Sequence, residues 1–551
     1  MHVFILLLLP ACGPTDCPEG FARNNDGTCV PLGGDSASFD TGADADIDTD
    51  ADSDADSDAD TDTDTDTDTD TDSDSDTDTD SDTDDTGGDD TGVSEPGPGG
   101  WTGEYELGDA ITLAPERAGD YLGWSLDVNG DVDGDGQEDL VVSALGADPN
   151  GVSTGSTYVW TAGVAADGDI GDARLRIDGD TPGDWSGYQA LFLPDVDGDG
   201  LDEVLVSTVV VACSSSSGSP GTVGVFSGAT TGSVDYSDGD ALWMSATIDD
   251  RFGCGMASPG DLDGDGVAEL AVGADGNGDA ASRGGAAYLF GDPMAGGDAD
   301  DATARIYADV ANLGLGSFMG ALGDTDGDGM DEVGIGFSGA LGAGDNPSGV
   351  YVVSDPGTGR MYVDDVAIGV ILPENSSGAA QLGGDYANPV AAAGDVDGDG
   401  YGDVLVGALN GASYMGVAYV VSGPLTGETE LFFATARISG TTSGDQVGYS
   451  VHTAHDVDGD GRDDVAIGAP GYDVHGSQAG AVALFVDPSG ELDFEDATAI
   501  AYGDSTNWYA GYDVAVSDQT RDGLYDLVVG AVYAYDHGQD AGLVAVLPGG
   551  T

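Results

Sequence analysis

The sequence predicts an all-β fold, a seven-bladed β-propeller preceded by a disordered acidic linker, and three observations predict it. A short acidic pattern recurs seven times in the C-terminal four-fifths of the chain. A glycine-bounded apolar run follows every copy. One strand is missing after the last copy, and one spare strand precedes the first.

The first copy reads Asp131-Val132-Asp133-Gly134-Asp135-Gly136, and the pattern restarts at Asp195, Asp261, Asp324, Asp395, Asp456 and, in degenerate form, Asp518. The intervals run from 61 to 71 residues, the signature of a supersecondary unit that buries its faces against neighbouring copies. Acidic residues fall at positions 1, 3, 5 and 9. They are Asp131, Asp133, Asp135 and Asp139; Asp195, Asp197, Asp199 and Glu203; Asp261, Asp263, Asp265 and Glu269. The series continues with Asp324, Asp326, Asp328 and Glu332; Asp395, Asp397, Asp399 and Asp403; Asp456, Asp458, Asp460 and Asp464. Alternate residues of a tight loop turn their oxygens inward, and the glycine at position 6 permits the turn. Hard oxygen ligands of this kind suit Ca²⁺, and four carboxylates so close repel one another strongly without a cation. In the seventh copy only Asp518, Asp522 and Asp526 remain, Thr520 replaces one carboxylate, and Arg521 stands where the others have glycine. Six strong Ca²⁺ sites and a weakened seventh are expected.

A helix-loop-helix calcium site needs a bidentate glutamate at position 12. Here that position holds Val142, Val206, Val272, Ile335, Val406, Ile467 and Val529, none of which binds metal. Position 9 instead opens an apolar run such as Asp139–Ala144 or Glu269–Ala274, which reads as a buried strand. The loop therefore joins two strands. Each unit then offers a third strand, such as Ala286–Phe290, Gly416–Val421 or Ala481–Phe485, and a fourth, such as Ala173–Ile177, Ala304–Ile306 or Ala436–Ile438. The last unit stops at Leu543–Leu547, while Ala110–Leu113 precedes the first. Letting the early strand complete the last blade closes the ring and removes its edges.

A Phe-Gly dipeptide stands nine residues before the loop at Phe252-Gly253, with Leu122-Gly123, Ser186-Gly187, Leu315-Gly316 and Val447-Gly448 as its counterparts. A Gly-Ala-Pro triplet ends the second strand at Gly468-Ala469-Pro470, with Gly273-Ala274, Gly407-Ala408 and Gly530-Ala531 elsewhere. With the loops, these features resemble the FG-GAP repeats of integrin α-chain N-terminal propellers over residues 100–551. The resemblance implies a non-enzymatic, adhesion-type binding module with ligand contacts on the face opposite the calcium loops.

The charge excludes other chemistries. Eleven basic and 105 acidic residues give a formal charge of −94, which rules out nucleic acid as a direct partner. All eleven basic residues are arginine, so lysine Schiff-base and Walker-type chemistry are absent. No His-Glu-x-x-His motif occurs. Of five histidines, His452 and His455 flank the sixth loop and read as packing residues more readily than as metal ligands.

At the N-terminus, the apolar run Val3–Leu9 is too short to span a bilayer. With Leu9-Pro10-Ala11-Cys12 it resembles a bacterial lipoprotein signal, which implies a signal peptide over 1–11, lipidation of Cys12 and attachment to the cell envelope, at the outer membrane or cell surface. A secretory signal cut elsewhere is the alternative, since no Lys or Arg precedes the run. The small segment 12–34 carries Cys17 and Cys29, and in an exported chain a disulfide closing this loop is expected. Cys213 and Cys254 are the other two cysteines. Residues 35–99 form an Asp/Thr/Ser-rich linker, with 26 Asp and no Arg between 35 and 90; it has nothing apolar to bury and extends by self-repulsion.

The resulting expectation is a calcium-binding surface lipoprotein whose propeller recognises a protein or glycan. The long connections Val209–Gly221 and Asp364–Asp385 are the expected variable loops. A propeller-based polysaccharide lyase or hydrolase, or a passive acidic coat protein, are the alternatives.

Overall fold

Every apolar run that follows an acidic loop becomes a strand whose two faces are both covered. Asp139–Ala144, Glu203–Thr208, Glu269–Ala274, Asp403–Ala408, Asp464–Ala469 and Asp526–Ala531 are buried along their whole length. Burial on both faces explains why these segments are continuously apolar instead of alternating. The computed structural model describes residues 100–209, 221–245, 247–339, 348–374, 382, 389–409, 414–535 and 538–550, together with the backbone of residues 21–23 and 29–31. The latter form two short antiparallel strands, Phe21–Arg23 and Cys29–Pro31. The expectations for Cys12, Cys17, the signal and the linker lie outside the described residues.

Seven sheets stand in a ring, each with four antiparallel strands. In the first blade these are Leu122–Gly130, Asp139–Ala144, Ser156–Trp160 and Leu175–Asp178, and the acidic loop joins the first to the second. The ring closes as expected. Ile111–Ala114 pairs antiparallel with the last strand, Val544–Leu547, with Leu113 opposite Val544 and Ile111 opposite Val546.

Each sheet also carries a fifth strand that the sequence reading did not foresee. The segment just before the outer strand of one blade lies parallel to the outer strand of the preceding blade, as Gly232–Asp235 does along Leu175–Asp178. The seam is built alike, for Gly103–Glu106 runs parallel to Ala499–Tyr502 of blade six. Every outer edge is thereby covered by the next blade.

Among the described residues, seven hydrophobic cores lie one between each pair of neighbouring blades. Blades one and two share Val141, Val159, Phe192 and Val206, for example, and blades seven and one share Leu126, Val142, Ala515 and Val528. The two glycines of the repeat meet across these interfaces. A Cβ on Gly123, where φ is +87°, would lie 2.9 Å from the Leu543 carbonyl and 3.0 Å from the Cα of Gly530. Gly316 and Gly273, Gly448 and Gly407, and Gly511 and Gly468 repeat the same glycine-on-glycine approach. The Phe-Gly and Gly-Ala-Pro signatures thus mark one contact seen from its two sides.

Candidate metal centres at the seven loops

The loops are held by their own carboxylates. In the first, Asp131 accepts the amides of Gly134 (2.7 Å) and Gly136 (2.8 Å), Asp133 accepts that of Asp135, and Asp135 that of Gln137. The same network recurs at Asp195, Asp261, Asp324 and Asp456, and Asp395 takes the amides of Asp399 and Gly400.

Position 9 sits at the start of the buried second strand and reaches back to the amide at position 2. Asp139 bonds Val132, Glu203 bonds Val196, Glu269 bonds Leu262, Glu332 bonds Thr325, Asp403 bonds Val396 and Asp464 bonds Val457. Aspartate and glutamate then diverge. The second oxygen of Asp139, Asp403, Asp464 and Asp526 takes another amide, from Ala162, Gly423, Asp487 and Gly549. The second oxygen of Glu203, Glu269 and Glu332 is buried with no hydrogen-bond partner.

Burial, reinforced by the neighbouring carboxylates, pushes these acids up: Glu203 to about 8, Asp139, Glu269 and Asp464 to about 7, and Asp403 and Asp526 to about 6. Buried carboxylates with unpartnered oxygens, facing further carboxylates, fit a hard divalent cation. The full quartet gathers in blade two, where ligand atoms of Asp195, Asp197, Asp199 and Glu203 lie within 4.8 Å of one another. Triads gather elsewhere: Asp131, Asp133 and Asp139; Asp261, Asp263 and Asp265; Asp324, Asp326 and Glu332; Asp395, Asp397 and Asp399. Asp135, Glu269, Asp328 and Asp403 stand outside those triads. At Asp456, Asp458, Asp460 and Asp464 the hydrogen bonds match the other loops.

The seventh loop keeps the scaffold, with Asp518 accepting the amides of Asp522 and Gly523 and Asp526 that of Thr520. Arg521 occupies its glycine position at φ +58° and extends across the seam to pair with Asp135 of the first loop. The seventh loop thus loses a carboxylate at Thr520, while Arg521 engages a carboxylate of the first loop.

Sequence reasoning missed the residue at position 8. Asp202, Asp331 and Asp463 each accept the first amide of the preceding loop, at Asp131, Asp261 and Asp395, tying loops together in pairs. An acid beside position 9 in copies one, two, four and six (Glu138, Asp202, Asp331 and Asp463) was the available signal.

His452 and His455 stand on either side of a bulge in their strand, and their rings have different surroundings. His455 stacks on Tyr525 at 4.8 Å and burial lowers it to about 4. Nδ1 of His452 donates to the Thr453 carbonyl at 2.6 Å, and its ring lines a central channel of about 340 Å³ with Asp127 and Asp513. Those two carboxylates accept amides of neighbouring blades, at Phe192 and Leu126. Cys254 is disulfide-bonded, and Cys213 lies outside the described residues.

Fold and loops together define a seven-bladed propeller built from FG-GAP repeats, and residues 122–160 and 447–485, in blades one and six, match the FG-GAP repeat. Within that class the chain is similar to integrin α subunits. It is 42% identical over 91 residues to integrin alpha pat-2 of Caenorhabditis elegans, covering 16% of this chain and 7% of that protein. It is 28% identical over 223 residues to integrin alpha pat-2 of Caenorhabditis briggsae, covering 37% and 18%. With integrin alpha-4 of Xenopus laevis it shares 30% over 162 residues, covering 28% and 14%. The matched stretches thus span under a fifth of these relatives' length.

Proposed function

We propose that this chain is an exported, lipid-anchored binding module of the adhesion type, whose propeller carries Ca²⁺ in its loops and presents a ligand-binding face held away from a membrane by the acidic linker. The observation that carries the reading is the integrin-α-like propeller with its carboxylate loops. Cys12 would take the lipid. The residues at positions 1, 3, 5 and 9 would hold the cation, and Glu203, Glu269 and Glu332 offer it oxygens that no protein group satisfies. Bound Ca²⁺ supplies positive charge that offsets the carboxylates of each loop. With the loops fixed, the opposite ends of the same strands are held as a rigid binding face.

The test is a binding screen of the full chain against envelope polysaccharides, matrix proteins and whole cells, in millimolar Ca²⁺ and again in EDTA. Saturable binding lost in EDTA is expected. Ca²⁺ uptake by a folded chain that binds none of these surfaces overturns the adhesion reading in favour of a passive acidic coat. Labelling with a radioactive fatty acid that Cys12→Ala abolishes is the matching result for the anchor.

A further inference from the structure

At the ends of the inner strands opposite the loops, the residues that flank the Phe-Gly position are aromatic on one side of the ring. Tyr449 and Tyr512 follow the dipeptide in blades six and seven, Tyr509 precedes it, and Tyr533 and Tyr535 follow the Gly530-Ala531 pair. Blades three and four carry Arg251, Cys254, Gly314 and Ser317 at the equivalent places. The tyrosines enclose a pocket of about 550 Å³, completed by Pro470 and by the side chains of Gln446 and Asn507. That volume is ordinary for a small-molecule site.

The rings brace one another: Tyr509 lies 4.9 Å from Tyr533 at 58°, and Tyr449 lies 4.9 Å from Tyr512 at 45°. Such tilted contacts fix ring faces before anything binds. Among the described residues no carboxylate or arginine lines the pocket, in a chain of charge −94. Neither the Gln446 nor the Asn507 side chain bonds a protein group among the described residues, so each presents a donor and an acceptor.

We propose that this tyrosine-lined pocket of blades six and seven binds a neutral glycan, which deepens the binding-module reading and rests on it. Sugar rings present apolar C–H faces that stack on tyrosine, and vicinal hydroxyls both donate to and accept from side-chain amides. The field of the whole chain repels acidic sugars, and no lining cation among the described residues offsets it. A cationic ligand would leave the amide donors unused.

Electrophoresis of the folded, calcium-loaded chain through native gels cast with neutral polysaccharides tests this. The panel is dextran, laminarin, galactomannan and hydroxyethylcellulose, none of which alters the charge that drives migration. Retardation by at least one polymer is expected. Tyr509→Ala and Tyr535→Ala should each weaken it by about fivefold to tenfold, the worth of one aromatic contact. Tyr535 is 40% exposed, so its replacement leaves the fold intact, and Tyr414→Ala, at a 60% exposed tyrosine outside the pocket, should change nothing. Retardation that survives both pocket substitutions overturns the assignment and leaves a binding module with its site elsewhere. No retardation by any polymer also overturns it. If proteins or cells still bind in the calcium-dependent screen, the module reading stands; if nothing binds there either, both fall. Tyr535-dependent binding of arginine methyl ester with no glycan retardation overturns the glycan and reassigns the pocket to cations.

Discussion

The two ends of the inner strands, roughly 30 Å apart along strands such as the nine-residue Leu122–Gly130, are built on opposite principles. At the loop end one solution is copied around the ring, with carboxylates of the same positions accepting amides of the same positions. At the other end the backbone contact is copied, glycine against glycine, while the neighbouring side chains differ from blade to blade. Repetition follows where each blade does the same job for itself. Variation follows where seven blades share one surface, since an asymmetric ligand has no use for sevenfold symmetry.

The largest expected effect breaks the loop end alone. At a Ca²⁺ concentration tenfold above the dissociation constant, each filled loop contributes about 1.4 kcal/mol, so EDTA should remove about 8 kcal/mol if six loops fill and lower the melting temperature accordingly. Unchanged calorimetric melting in EDTA would mean that the loops are structural turns. Next comes glycine at the two ends. Gly123→Ala drives a Cβ into blade seven and should cost about 3 kcal/mol or more. Gly198→Ala, at a similar φ of +80° but with nothing within 4 Å, should cost only about 1 to 2 kcal/mol for the backbone conformation. Equal urea midpoints would erase the distinction.

A pH titration sharpens the comparison further. Carboxylates near 4 in the unfolded chain rise to between about 6 and 8 at position 9, so between those values the folded state holds more protons. The calcium-free protein should therefore lose stability as pH rises from about 4 to about 8. Ca²⁺ affinity should rise across the same window, because the cation needs the deprotonated acids. Melting temperatures in EDTA that climb with pH would contradict this. The smallest effect is expected of Arg521→Gly. Its ion pair with Asp135 is partly exposed, with about a third of each side chain accessible, and such pairs contribute about 0 to 1 kcal/mol. Stability should move little while calorimetric titration gains binding at the seam. An unchanged stoichiometry would separate Asp135 from the metal.

The blade number, the loop-to-strand order and the closing strand were legible in the sequence because all three are written in repetition. The fifth strands were not. Gly103–Glu106, Gly232–Asp235 and Gly490–Asp493 are exposed along most of their length, and backbone hydrogen bonds hold them without an apolar signature. The loop carboxylates were readable at positions 1, 3 and 5. At position 9 the sequence could not reveal that aspartate spends both oxygens on backbone amides while glutamate keeps one unpartnered. The tyrosine pocket left no local trace either, since its residues run from Gln446 to Tyr535 and converge only when the last two blades stand side by side. Of the long connections expected to vary, Val209–Gly221 lies almost wholly outside the described residues, and Asp364–Asp385 does so at 375–381 and 383–385.

The crossing strands at the seam also determine how the ring carries load. A pull applied at residue 100 enters Gly103–Glu106, zipped to blade six, and passes directly to Ile111–Ala114, zipped to blade seven. Tension thus falls first on the two latches that hold the ring shut, and one must slip before the other is strained. Beyond that point blade seven loses its outer strand while blades one to six keep theirs, so rupture begins at the seam and leaves most of the wheel assembled.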